Sequence, residues 1–109
     1  MISKQEIKEV LKRIEIRSFY STQHDLEFDL WKIDELDEYN ELYKVEKFVP
    51  GYYGIGTNGS GELLTVEMKS EVVYSIPFIP MDDSERIEIS ESIDKLILLS
   101  PRSPAKDSQ

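Results

Sequence analysis

The sequence contains no cysteine and a single histidine, His24, among 109 residues. The missing thiols exclude disulfides, thiolate metal sites and cysteine nucleophiles, and one histidine leaves no histidine pair at metal-ligand spacing. Long apolar runs are absent, so no segment reads as a membrane span. The opening Met1-Ile2-Ser3-Lys4-Gln5-Glu6 has no apolar leader core, and a cytoplasmic protein is expected. Basic residues are scarce: 13 Lys and Arg stand against 22 Asp and Glu, a formal charge of −9. Nucleic acids and anionic membranes call for a basic footprint, so neither is an expected partner. A basic protein partner fits this balance, as does ordinary solubility. Glycine is scarce as well, and all five residues fall between Gly51 and Gly61.

Hydrophobic residues make up 39% and aromatics 10% of the chain, enough for one hydrophobic core but not for two. Residues 1–99 are expected to form a single α+β domain of about four to six mostly antiparallel strands and two to three helices. Residues 100–109 carry two prolines and no apolar period, and read as a disordered tail.

Taken in order, Ser3 to Arg17 reads as a helix. Ser3 and Glu6 form a capping box, Ile2 and Ile7 take the staple positions, and Ile7, Val10, Leu11 and Ile14 make one apolar face. Ser18 to Asp25 reads as a loop. Leu26, Phe28 and Leu30 alternate with Glu27 and Asp29, the period of a half-buried strand, and Trp31 follows with polar-side parity. Asp34 to Lys44 reads as a second helix with Asp34 as N-cap and Leu36, Tyr39, Leu42 and Tyr43 buried. Asn40 lies near that apolar face, where its amide needs partners and is expected to pin a neighbouring loop. The run from Phe48 to Ile76 reads as an antiparallel meander, with Pro77 and Pro80 bracketing an edge segment. Asp82-Asp83-Ser84 is a polar turn, and a last helix from about Ser90 turns Ile93, Leu96 and Ile97 inward.

The glycine-rich loop is the first candidate for chemistry. Gly54-Ile55-Gly56-Thr57-Asn58-Gly59 fits the dinucleotide pattern G-x-G-x-x-G, whose mechanism needs a helix N-terminus after the loop to hold the pyrophosphate. Here Glu62 to Glu67 follows, and it is strand-like. The protein-kinase loop does lie between strands, but its lysine, catalytic loop and metal-binding motif are absent. Asn58-Gly59 between extended segments reads instead as a type I′ hairpin turn, with Gly61 as the left-handed residue of an adjoining bulge. Gly51, Gly54 and Gly56, in or beside a strand, suggest bulges or a backbone passing closely. His24 beside Asp25 resembles a base and its orienter, yet neighbouring residues on an extended segment point apart. Asp82-Asp83 fits turn and capping roles better than half of a metal site. No catalytic, cofactor or metal residues are assigned, and a non-enzyme is expected.

The acidic middle is the other candidate. Asp25, Glu27, Asp29, Asp34, Glu35, Asp37, Glu38, Glu41 and Glu46 are opposed in that stretch only by Lys32 and Lys44. Such a run reads either as a solvated face or as a docking surface for an electropositive partner.

The ordered set Trp31, Asp34-Glu35-Leu36, Asn40, Tyr43, Pro50-Gly51, Ile55-Gly56-Thr57-Asn58-Gly59-Ser60-Gly61-Glu62 and Val73-Tyr74-Ser75-Ile76-Pro77 resembles the SUKH superfamily. The resemblance runs from about Trp31 to Leu99. Members are chiefly bacterial immunity proteins that bind and neutralise polymorphic toxins, many of them nucleases; fungal relatives regulate cell-wall synthesis. It implies an α+β fold, no catalysis and no cofactor. It makes Asn40, Tyr43, Pro50, Gly56, Asn58, Gly59, Gly61 and Glu62 motif positions rather than toxin contacts. The expected function is stoichiometric blocking of a cognate toxin with a basic surface, with Asp25, Glu27, Asp29, Glu35, Asp37, Glu38 and Glu41 as candidate contacts. The alternative is a non-enzymatic adaptor or regulatory module of the same fold. The resemblance names neither the toxin nor the oligomeric state.

Overall fold

The computed structural model describes residues 1–14, 17–21, 23–98 and 100–101. Strands β1 (Ser18–Ser21), β2 (Leu26–Leu30), β3 (Tyr52–Thr57), β4 (Glu62–Glu67), β5 (Val73–Pro77), β6 (Ile87–Ser90) and β7 (Ser100–Pro101) form one sheet in the order β6-β5-β4-β3-β2-β1-β7. Every pairing is antiparallel. Helices α1 (Lys4–Arg13), α2 (Leu36–Leu42) and α3 (Val45–Phe48) complete an α+β fold of the expected class. The sheet curls: His24, in the β1–β2 turn, donates from Nε2 to the Glu88 carbonyl of β6 at 3.1 Å. A carbonyl only accepts, so Nε2 carries the proton.

Alternation along the strands divides the core in two. Phe28, Leu30, Tyr53, Ile55, Leu64 and Val66 turn to one face, where Ile7 and Leu11 of α1 and Leu36 of α2 pack on them. Tyr52, Leu63 and Ile76 turn to the other, under Val45 and Val49. Ile7 and Leu11 are fully buried; truncating either to alanine removes about 2–5 kcal/mol. The capping box that starts α1 forms as expected: Ser3 Oγ accepts from the Glu6 N–H at 3.1 Å and Glu6 Oε1 accepts from the Ser3 N–H at 2.9 Å. The hydrogen bond that the carboxylate accepts from the Ser3 N–H holds the Glu6 carboxyl below its ordinary pKa.

The helix ends four residues before the expected Arg17. Ile14 is already extended, and residues 15 and 16 lie outside the described residues. The Arg17 guanidinium donates to the Leu11 and Ile14 carbonyls, at 3.3 Å each, and to the Trp31 carbonyl at 2.7 Å. One side chain thus satisfies the open end of α1 and fastens it to the end of β2. Ser18 to Ser21, read as loop, is strand: Phe19 is buried opposite Phe28, and the flanking serines obscure the alternation.

The second helix is shorter than expected and enters through a 3-10 turn at Ile33–Glu35, so Asp34 is not its N-cap. It stops at Tyr43 because Lys44 adopts a left-handed conformation (φ 56°), and α3 then occupies Val45–Phe48, so Phe48, expected to begin an extended region, is helical. Leu42 and Tyr43 are exposed rather than buried. The meander β3-β4-β5 forms as expected, with a register shift between Gly54 and Gly56. Pro77 closes β5 beyond the last residue paired to β6, so its missing N–H leaves no ladder bond open. The expected terminal helix is replaced by β6 and a 3-10 turn at Asp94–Leu98. Ile93 and Leu96 still turn inward, and the Ile97 side chain lies outside the described residues. Ser100 and Pro101, assigned to the tail, pair with Tyr20 and Phe19 of β1; residues 102–109 lie outside the described residues.

Candidate interaction surface

The glycine-rich segment is scaffold, and each glycine there has its own reason. At Gly56, which pairs with Leu30, a Cβ would lie 2.3 Å from the Asp29 carbonyl oxygen. Only a hydrogen fits, because β2 and β3 touch backbone to backbone at that point. Gly59 and Gly61 sit at φ +75° and +99°, and a Cβ on either would find nothing within 4 Å. The turn is not the expected type I′, because Asn58 keeps a negative φ and only Gly59 of the central pair is left-handed. Asn58 closes a wider loop instead: its Oδ1 accepts from the Ser60 N–H at 2.8 Å and the Glu62 N–H at 3.0 Å. Glu62 Oε1 in turn accepts from Ser75 Oγ at 2.9 Å, fixing β4 to β5.

Asn40 works as a surrogate strand. β2 pairs with β3 only as far back as Gly56, which leaves the Gly54 edge open. The Asn40 amide fills it: Oδ1 accepts from the Gly54 N–H at 2.7 Å, and Nδ2 donates to the Gly54 carbonyl at 2.9 Å. The same Nδ2 donates to the Leu36 carbonyl at 2.8 Å. The amide therefore locks α2 to the sheet, pinning a strand where a loop was expected. Tyr43, another motif position, stacks 5.9 Å from Trp31, which lies 4.6 Å from Tyr39. Pro50 is an exposed residue of the turn before β3.

The acidic candidates do not form one cluster. Asp25 sits in the β1–β2 turn at the far end of β2 from α2, with φ 54°, accepting from Tyr20 Oη at 2.5 Å. That hydrogen bond raises the Tyr20 pKa. Glu27 and Asp29 share the outer face of β2; Glu27 is half-buried, and Asp29 accepts from Ser18 Oγ at 2.5 Å. Glu35 is half-buried in the 3-10 turn. Asp37 is exposed but engaged within the molecule: Lys8 of α1 lies 2.6 Å from Oδ2, and Tyr53 Oη donates to Oδ1 at 2.6 Å. The Lys8 and Tyr53 hydrogen bonds hold the Asp37 carboxyl below its ordinary pKa, while burial and that carboxylate push the Tyr53 phenol up. Glu38 and Glu41 remain exposed on α2.

Compared with known protein families and with curated proteins, the sequence matches no family model and no curated relative.

Asp37, Glu41 and Glu46 line a pocket of about 370 Å³ walled by Tyr52 and Tyr53, with Lys4 at its side. His24 and Asp25 do not form a base–orienter pair, since each is hydrogen-bonded elsewhere. Asp82 caps the 3-10 turn Asp83–Glu85 by accepting from the Ser84 N–H at 3.0 Å. No group of three or more His, Cys, Asp or Glu side chains is placed to hold a metal among the described residues. No helix of the described residues is long and apolar enough to cross a membrane.

Sequence reasoning missed an apolar groove of about 560 Å³ between the α2–α3 junction and the segment after β5. Tyr43 and Phe48 line one side, and Phe78, Ile79 and Met81 the other. The signal was present in Phe78-Ile79-Pro80-Met81, four consecutive residues without a polar side chain, which read only as an edge segment.

Proposed function

We propose that this chain is a bacterial immunity protein of SUKH type, which binds a cognate protein toxin in the cytoplasm and blocks it stoichiometrically. The observation that carries the reading is the setting of Glu38 and Glu41: both are exposed on a helix that Asn40 clamps to the central strand. Carboxylates on a fixed element meet a basic partner with little ordering cost, and complementary charge speeds the encounter. A nuclease is the favoured target, because a phosphate-binding groove is basic and a chain of charge −9 competes for it. The resemblance in the ordered motif residues supports the same reading, and those residues act as scaffold: Gly56 permits strand contact, Asn58 closes the turn, and Glu62 binds Ser75.

Co-expression with the products of neighbouring reading frames tests the proposal. Protection of growth together with a co-purifying complex is expected. A partner that binds without being toxic would favour an adaptor or regulatory module instead. Within a protected pair, Glu38→Lys with Glu41→Lys should slow association and flatten its salt dependence. An unchanged association rate would move the interface away from α2.

A further inference from the structure

We propose that the apolar groove beside α3 seats an aromatic or aliphatic side chain of a partner protein whose surrounding surface is basic. This rests on reading the chain as a partner-binding protein and says where the anchor of that contact lies.

Ile79 is 91% exposed and Phe48 51%, and both line the groove. Large apolar side chains grouped around a concavity mark interaction sites more strongly than scattered ones. The floor is built rather than loose. Phe78 lies 4.9 Å from the Tyr43 ring, and Tyr43 stacks in turn on Trp31. The Phe78 N–H donates to the Gly61 carbonyl at 2.8 Å, so the glycine-rich turn holds one wall in place. A volume of about 560 Å³ accommodates one or two large side chains.

Charge selects the occupant. Asp82 lines the groove, and Asp83 and Glu85 follow it in the chain, all three exposed. Lys44 and Lys47 are the cations of the α2–α3 segment, outnumbered by these acids. A second copy of the chain would bring two bodies of charge −9 together over this face. The C-terminal residues 102–109 offer no large apolar side chain, only Pro104 and Ala105 among charged and polar residues. A partner with an apolar anchor ringed by Lys and Arg meets both features, the pattern of an interface hot spot inside a polar rim.

Three synthetic peptides provide the probe: Trp-Leu flanked by lysines, Ser-Ser with the same flanks, and Trp-Leu flanked by glutamates. Binding is followed by amide chemical shifts of the full chain. The lysine-flanked Trp-Leu peptide should shift Tyr43, Phe48, Ile79 and Met81, and each of the other two should bind about tenfold more weakly or worse. Ile79→Ser keeps the charge and alters an exposed residue, so it should weaken the first peptide about tenfold with melting temperature unchanged. Phe48→Ser should do the same. Equal binding of all three peptides, shifts centred elsewhere, or indifference to Ile79→Ser would overturn the proposal. So would a concentration-dependent dimer that Ile79→Ser dissolves, since the groove would then belong to a second copy. Peptide binding does not depend on a toxin, so failure of growth protection with the groove intact would count against the immunity reading alone.

Discussion

Replacing Asn40 by aspartate changes one atom pair and tests the surrogate-strand role directly. The variant keeps an oxygen for the Gly54 N–H but turns a second oxygen toward the Leu36 and Gly54 carbonyls, which Nδ2 now meets at 2.8 and 2.9 Å. Two hydrogen bonds, each contributing about 1 kcal/mol, are lost. A carboxylate facing two carbonyl oxygens adds a penalty of about 1–2 kcal/mol, for a total of about 3–4 kcal/mol at neutral pH. For a domain of this size that lowers the melting temperature by roughly 15 °C. Protonation restores a donor, so the folded state raises the pKa of the new carboxyl above its unfolded value. The native form then binds more protons than the unfolded one as pH rises past the unfolded pKa, and stability is lost across that window. The deficit against wild type should therefore be smallest in acid and complete once pH exceeds the folded pKa. Urea unfolding followed by fluorescence of Trp31, the only tryptophan, reads this at a series of pH values. A variant as stable as wild type at neutral pH, or one whose deficit ignores pH, would refute the surrogate-strand account.

Gly56→Ala should cost at least about 3 kcal/mol, because its Cβ meets backbone that cannot step aside, whereas Gly59→Ala, in open space at positive φ, should cost only about 1 kcal/mol. Comparable losses in thermal melts would contradict the contact at Asp29. Thr65→Val should stabilise by about 1 kcal/mol, since the Thr65 hydroxyl is buried in the strand without a hydrogen-bond partner among the described residues; a lower urea midpoint would count against this. The Asp37 carboxyl is held below its ordinary pKa by Lys8 and Tyr53, so its stabilising effect is present above the unfolded value and fades as pH falls through the folded one. Asp37→Asn should accordingly be less sensitive to acid than wild type, and parallel acid-denaturation curves would show that the pairing carries no weight.

The parts of the fold legible in the sequence were those specified locally. The capping box needs only Ser3 and Glu6, and the alternation of Leu26, Phe28 and Leu30 declares a half-buried strand by itself. What escaped was decided by tertiary contacts. Ser18 to Ser21 becomes strand because β2 lies alongside, and Ile87 to Ser90 because β5 does. Val45 to Phe48 turns helical after a left-handed Lys44, a conformation no residue pattern there announces. For the surface, the acids of α2 were visible as a run, but the diversion of Asp37 to Lys8 depends on where α1 packs. The groove was hidden for the opposite reason: Tyr43 and Phe48 look like core residues until the fold leaves them outside.

The proposed function is recognition without turnover, and titration of a cognate toxin identified by co-expression checks it. Increasing amounts of the purified chain should reduce toxin activity linearly to an end point at one molecule per toxin, with activity recovered when high salt separates the pair. Inactivation by a small fraction of an equivalent, or loss of activity that outlasts separation, would contradict it.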